Sequence, residues 1–169
     1  IIMYVGFIFV GTYMGYAVGS APVISYHYGA GNKDELKNLF KRSLTIIIVS
    51  SVVMTLIAEI IAGYLAGIFV SYDNNLLELT TEAIRIYAVS YLISGVNIFA
   101  SSFFTALNNG VVSAVISFMR MFVFQIVMIL LLPVVLGISG IWTAVIAAEV
   151  LSVVISVMFL VKNRKKYSY

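Results

Sequence analysis

Few side chains in this 169-residue chain can do ionic or acid–base chemistry, and some of those few sit where charge is expensive. Asp, Glu, Lys and Arg make up only 10% of the chain. Glu59, Arg120 and Glu149 nevertheless fall inside long apolar stretches. An ionised side chain at bilayer depth usually faces the interior of a helix bundle or a water-filled cavity. There a carboxyl group can carry a proton or a cation, so Glu59 and Glu149 are candidates for a relay. The competing reading is structural: an ion pair between Arg120 and one of the two carboxylates. Asn97 lies in a stretch with no acid from Ile84 to Asn109. Its amide can meet a substrate or ion, or join two helices. Tyr4, Tyr13, Met14 and Tyr91 offer flat or polarisable groups that suit apolar cations through dispersion and cation–π contact. His27, the only histidine, can sense pH. Its neighbours Tyr26 and Tyr28 instead suggest an interfacial aromatic belt.

Other chemistries fall away. There is no cysteine, which excludes disulfides and thiolate metal sites. Gly29-Ala30-Gly31 has neither a preceding strand nor the Gly-Lys of a phosphate loop. Tyr72-Asp73-Asn74-Asn75 has the wrong length and ligand spacing for a calcium loop. No Ser-His-Asp set, paired catalytic carboxylates or metal-ligand cluster is present, so an enzyme is not expected, nor a metal or organic cofactor.

These residues must be positioned by the apolar stretches themselves, at approximately 1–28, 44–70, 83–107, 111–136 and 138–161. Each reaches the ~20 residues that a membrane-crossing helix needs. In lipid such a segment must satisfy its own backbone hydrogen bonds, which makes it helical. The composition agrees: 62% of residues are hydrophobic, and mean hydropathy is +1.09. The expected fold class is therefore all-α, a polytopic membrane protein with five transmembrane helices. The first stretch lacks the preceding positive residues of a signal peptide. The chain starts Ile1-Ile2 inside an apolar stretch, which suggests a piece of a longer protein.

Charge placement orients the helices. Every Lys and Arg other than Arg85 and Arg120 lies between the first two spans or after the fifth. An odd number of spans puts those two regions on one side. The positive-inside rule makes that side cytoplasmic, with a basic tail at 162–169. Basic residues flanking spans suit a membrane surface rather than nucleic acid. Asn32-Lys33-Asp34-Glu35 has capping-box spacing and predicts a short interfacial helix leading into span two. Asn75-Leu76-Leu77-Glu78 repeats the pattern before span three. Asn108-Asn109-Gly110 and Gly137-Ile138-Ser139-Gly140 predict tight turns. Small residues four apart predict close helix packing at Gly11/Gly15/Gly19, at Gly63/Gly67, and at Gly140/Ala144/Ala148/Ser152/Ser156.

Span one ends Pro22-Val23-Ile24-Ser25-Tyr26-His27-Tyr28-Gly29-Ala30-Gly31. This resembles the P-x-I-S-x-x-x-G-A-G segment of the multidrug and toxic compound extrusion (MATE) transporters, and most of all the MepA-like branch. Ser117-Phe118-Met119-Arg120 resembles the family's S-x-x-R, Pro133 its span-eleven proline, and Gly137-Ile138-Ser139-Gly140-Ile141-Trp142 its G-I-x-G-[VI]-W turn. Asn97 with Phe103-Phe104-Thr105-Ala106-Leu107 resembles the tenth span. The resemblance implies five of the six helices of one lobe in a twelve-helix transporter. The partners it implies are the lipid bilayer, a missing N-terminal lobe of the same polypeptide, and organic cation or amphipathic drug substrates. The activity it implies is multidrug efflux by antiport with H+ or Na+ in the cell membrane, the piece alone being inactive. Pro22, Ser25, Gly29 and Gly31 are then structural motif residues. The alternatives are a lipid-linked oligosaccharide flippase of the same superfamily and a non-transporting membrane scaffold.

Overall fold

The computed structural model describes residues 2–169, and at position 138 the backbone alone. It contains helices α1 (Ile2–Gly29), α2 (Lys33–Val70), α3 (Asn74–Ala106), α4 (Gly110–Phe118), α5 (Gln125–Leu136) and α6 (Ile138–Tyr167). A six-residue π-helical turn, Met119–Phe124, joins α4 to α5. The described residues form five segments long and apolar enough to cross a membrane, with α4, the π turn and α5 as one of them. The protein is therefore a multi-pass membrane protein.

The helix junctions follow from local chemistry. Asn32 N–H donates to the His27 carbonyl at 3.0 Å and Gly31 N–H to that of Tyr28 at 3.1 Å. These are the paired bonds of a Schellman motif, which needs a left-handed residue. Gly31, at φ +68°, supplies it without a Cβ clash. Asn32 then serves the next helix, its side chain accepting from Glu35 N–H at 3.2 Å. Only this half of the predicted capping box forms, because the Glu35 carboxylate accepts from Asn38 instead. The same device recurs after α3. Asn109 N–H reaches the Phe104 carbonyl at 2.8 Å and Asn108 N–H that of Thr105 at 3.0 Å, with Asn108 left-handed at φ +57°. Asn109 caps α4 by accepting from Val112 N–H.

Two expectations change. The interfacial helix is not separate: α2 is one continuous helix of 38 residues. At 1.5 Å per residue it spans about 57 Å, so its first turns stand outside the ~30 Å hydrocarbon core. The cap of α3 is Asp73, which accepts from the N–H groups of Asn75 and Leu76 at 2.9 and 3.2 Å. A carboxylate one position before the helix also opposes the positive end of the helix dipole, which Asn75 cannot do. Within the basic tail at 162–169, residues 162–167 form the last turns of α6. Ser168 turns left-handed at φ +59° and Tyr169 folds back. Its phenol donates to the Leu160 carbonyl at 2.8 Å, and its ring meets Phe40 and Phe103 at centroid distances of 4.7 and 4.8 Å. Burial pushes the Tyr169 phenol well above its ordinary pKa, so it stays neutral.

Helix α3 is the centre of the bundle, the most buried of the five spans. Lipid is as apolar as the helices, so polar bonds and close backbone approach hold them together. Tyr13 of α1 donates to the Tyr91 carbonyl at 3.0 Å, Ser25 to that of Ala106 at 2.9 Å, and Thr55 of α2 to that of Ala88 at 3.3 Å. Gly95 lets α2 and α1 approach α3. A Cβ there would lie 2.9 Å from Ser51 Oγ and 3.1 Å from the Tyr13 ring.

The small-residue stripes behave differently from one another. On α6, Gly140, Ala144, Ala148, Ser152 and Ser156 are all buried, as their spacing predicts. On α1, Gly11, Gly15 and Gly19 are exposed, with no atom within 4 Å of an added Cβ. The packing edge of α1 is instead Phe9, Tyr13, Ala17 and Ile24. On α2, Ala58, Ala62 and Ala66 take the role expected of Gly63 and Gly67.

Candidate functional site

The π turn, α3 and α6 bring three of the candidate residues together. Arg120 sits in the π turn, Asn97 in the C-terminal half of α3 and Glu149 near the middle of α6. Arg120 Nε donates to Glu149 Oε1 at 2.9 Å and to Oε2 at 3.1 Å, and Nη2 lies 2.8 Å from Oε1. Asn97 Nδ2 donates to Glu149 Oε2 at 2.7 Å and to the Glu149 carbonyl at 3.2 Å. Its Oδ1 accepts from Ser156 at 2.9 Å. Asn97 is fully enclosed, and Glu149 is 7% exposed. The carboxylate is thus held by a two-pronged guanidinium and an amide. Such charge-assisted bonds are shorter and stronger than neutral ones.

Asn97 ties α3 to α6, one of its two sequence readings, and it stands in the wall of a cavity. The cavity, of about 570 Å³, lies between α1, α3, the π turn and α6. Arg120 and Glu149 border one side, and Tyr87, Tyr91, Phe7 and Met14 supply aromatic and thioether surface. Tyr91 is fixed by stacking on Phe9, with ring centroids 4.2 Å apart. Tyr87 stands edge-on to it at 5.5 Å.

Other candidates lie elsewhere. Glu59 pairs with Arg85 at 3.8 Å on the flank between α2 and α3, where the two side chains are 35% and 58% exposed. It is not in the cavity. Tyr13 is buried between helices, while Tyr4 is exposed outside the cavity. Ser25 ties α1 to α3, and Gly29 and Gly31 form the α1–α2 turn. Pro22 lies within α1. His27 and Tyr26 stack edge-on beside that turn.

A polar face of α3 went unread in the sequence. Ser90, Ser94, Asn97, Ser101 and Thr105 all line the cavity. Their helical spacing was the available signal, since they follow one another at four or three residues. Ser101 Oγ lies 2.9 Å from Ser113 Oγ and 2.7 Å from Ser117 Oγ, and Thr105 lies 2.7 Å from Ser113. A hydroxyl chain therefore joins α3 to α4 along the cavity wall. The π turn went unread as well, and no residue in Met119–Phe124 signals it. It inserts an extra residue into the turn that carries Arg120, and π turns often occur at functional positions.

Comparison with known proteins agrees with this architecture. The crystal structure of the Vibrio cholerae MATE transporter VcmN in its bent form superposes with a TM-score of 0.86 at 17% sequence identity. The match covers 95% of this chain and 36% of that one, so this chain spans about a third of its length. A search of curated proteins gives no match. The family model MatE matches residues 1–131, which contain both the Pro22–Gly31 segment and Arg120. On that match the chain belongs to the MatE family.

Proposed function

We propose that this chain is most of one lobe of a secondary active transporter, one that exports organic cations or amphipathic xenobiotics by antiport with H+ or Na+. The observation that carries the reading is the cavity wall, where an aromatic and methionine surface meets the Arg120–Glu149–Asn97 cluster. The apolar part suits a flat, weakly hydrated substrate. The cluster supplies a coupling element. A proton or cation reaching Glu149 competes with Arg120 for the carboxylate, loosening α6 from the π turn. A ligand that binds one state better than the other shifts the balance between them. Rocking of two lobes would then expose the cleft to each side in turn. The MepA-like branch, the cytoplasmic C-terminus and residence in the cell membrane are part of the same proposal, supported by the Pro22–Gly31 segment and the basic flanks.

A lipid-linked oligosaccharide flippase is the second reading. It would need free cations in the cleft to hold a pyrophosphate. Arg120 is the only cation bordering the cavity among the described residues, and Glu149 already neutralises it. This favours drug export.

The test is ethidium efflux from cells expressing the full-length protein, with the proton and sodium gradients dissipated separately. Efflux is expected to stop when one gradient is removed and to persist when the other is. Met14, 53% exposed and lining the cavity, tolerates a larger side chain. Met14→Trp is expected to cut efflux by about tenfold or more through lost fit, at unchanged protein level. Efflux indifferent to both gradients rejects antiport. No efflux under any condition moves the flippase and scaffold readings forward.

A further inference from the structure

Helices α2 and α6 both pack on α3, and at the basic end of the bundle a second groove opens between them. It encloses about 450 Å³. Two stripes line it. On α2, Lys37, Lys41, Leu44 and Ile48 follow one another at helical spacing; on α6, Val157, Val161 and Arg164 do the same. The helices run in opposite directions, so both stripes pass from apolar to basic toward the same end. Val96 of α3 adds to the apolar lining, and Tyr169 borders the groove beside Arg164.

The three cations are exposed, and among the described residues none is paired with an Asp or Glu side chain. Arg164 Nε donates to the Tyr169 main-chain oxygen at 3.3 Å, and both residues line the groove. The stripe from Lys37 to Ile48 extends about 16 Å along the helix, long enough to run from the interface well into the hydrocarbon. A groove that is apolar at bilayer depth and triply cationic at the interface complements one kind of molecule. It must have an acyl chain continuous with an anionic headgroup.

We propose that this groove is a binding site for a single anionic phospholipid, its phosphate between Lys37, Lys41 and Arg164 and an acyl chain along Leu44, Ile48 and Val157. Basic pockets between membrane helices are recurrent sites for such headgroups. The groove shares no lining residue with the cavity, and the proposal does not depend on what the protein transports.

Native mass spectrometry of the full-length protein in neutral detergent tests it, with phosphatidylglycerol and phosphatidylcholine of identical chains as probes. Each interfacial cation is worth about fivefold in affinity for an anionic lipid. Phosphatidylglycerol should therefore bind on the order of a hundredfold more tightly. The triple variant Lys37→Gln, Lys41→Gln, Arg164→Gln should abolish that preference. Neutralising Lys33, Arg42 and Lys165, which lie outside the groove, should leave it largely in place. Val157→Trp, which fills the apolar half, should weaken both lipids and keep their ratio. If the triple variant fails to fold, the wild-type lipid comparison and Val157→Trp decide. Equal binding of the two lipids, or binding of neither, overturns the site, as does a preference lost equally in both triple variants. Displacement by millimolar inorganic phosphate, or no effect of Val157→Trp, overturns the lipid as occupant.

Discussion

Arg120→Ala is expected to destabilise the full-length protein by about 3 to 5 kcal/mol, the cost of removing one partner from a buried ion pair. The change strands the Glu149 carboxylate, 7% exposed, with only the Asn97 amide to hold it. Glu149→Ala should be comparably harmful, because it leaves the guanidinium without its counter-charge and the Asn97 amide without its main acceptor. Arg120→Met with Glu149→Met should cost less than either single change, since no uncompensated charge remains. Unfolding midpoints of the four purified proteins in detergent check this. A double variant as unstable as the sum of the singles would show that the two side chains do not act as a pair. The same double variant then separates structure from coupling. If it folds and no longer responds to an ion gradient, the pair takes part in coupling. If gradient-driven efflux persists, Glu149 leaves the proposed relay, and its bonds serve only to hold α3, α6 and the π turn.

Gly140→Val is expected to cost about 3 kcal/mol or more, seen as loss of folded protein at normal expression. An added Cβ at this position would run into the Leu132 carbonyl group and the Pro133 nitrogen. These are backbone atoms, which cannot rotate aside as a flexible side chain can. The turn cannot yield easily, because Gly137 already holds a left-handed φ of +63°, its N–H bonded to the Pro133 carbonyl at 2.9 Å. Overpacking of this kind usually costs about 1 to 3 kcal/mol, more where nothing can relax. Gly67→Val is the control. It adds the same side chain to another span, where nothing lies within 4 Å, and should be near neutral. Equal effects at the two positions would show that the loss comes from Val in a membrane helix rather than from contact between α5 and α6.

The two glycines illustrate how far the sequence reaches. Both belong to small-residue patterns with the same spacing, yet one is buried against backbone and the other is open. Spacing states that a helix has a smooth edge; it does not state which edge another helix uses. On α1 the Gly11–Gly19 edge is exposed, and Tyr13, Ala17 and Ile24 pack instead. On α6 the predicted stripe is the packing edge. Caps and turns were more legible, because they depend on residues within one turn of each other. Asn32, the Asn108–Asn109 pair and Gly137 all act where the sequence places them. Asp73 replaced Asn75 as the α3 cap by a shift of two residues, within the ordinary ambiguity of helix ends.

The charged site marks the boundary most clearly. That Glu59, Arg120 and Glu149 lie at bilayer depth, in an all-helical five-span protein with a basic end, is written in the sequence. Partition into lipid is a property of each segment by itself. Which acid meets Arg120 is not a segment property. Glu149 is 29 positions from Arg120, and the bond depends on the rotation of α6 and on the extra residue of the π turn. Those rotations are set by polar bonds to α3 and by buried glycine, alanine and serine edges, since lipid gives no hydrophobic force to orient one helix against another. The spans, their number and their charge asymmetry follow segment by segment from composition. Only the packed bundle decided that Glu149 joins Arg120 and Asn97 beside a cavity while Glu59 stays outside on Arg85, because that choice depends on how neighbouring helices pack around a shared centre.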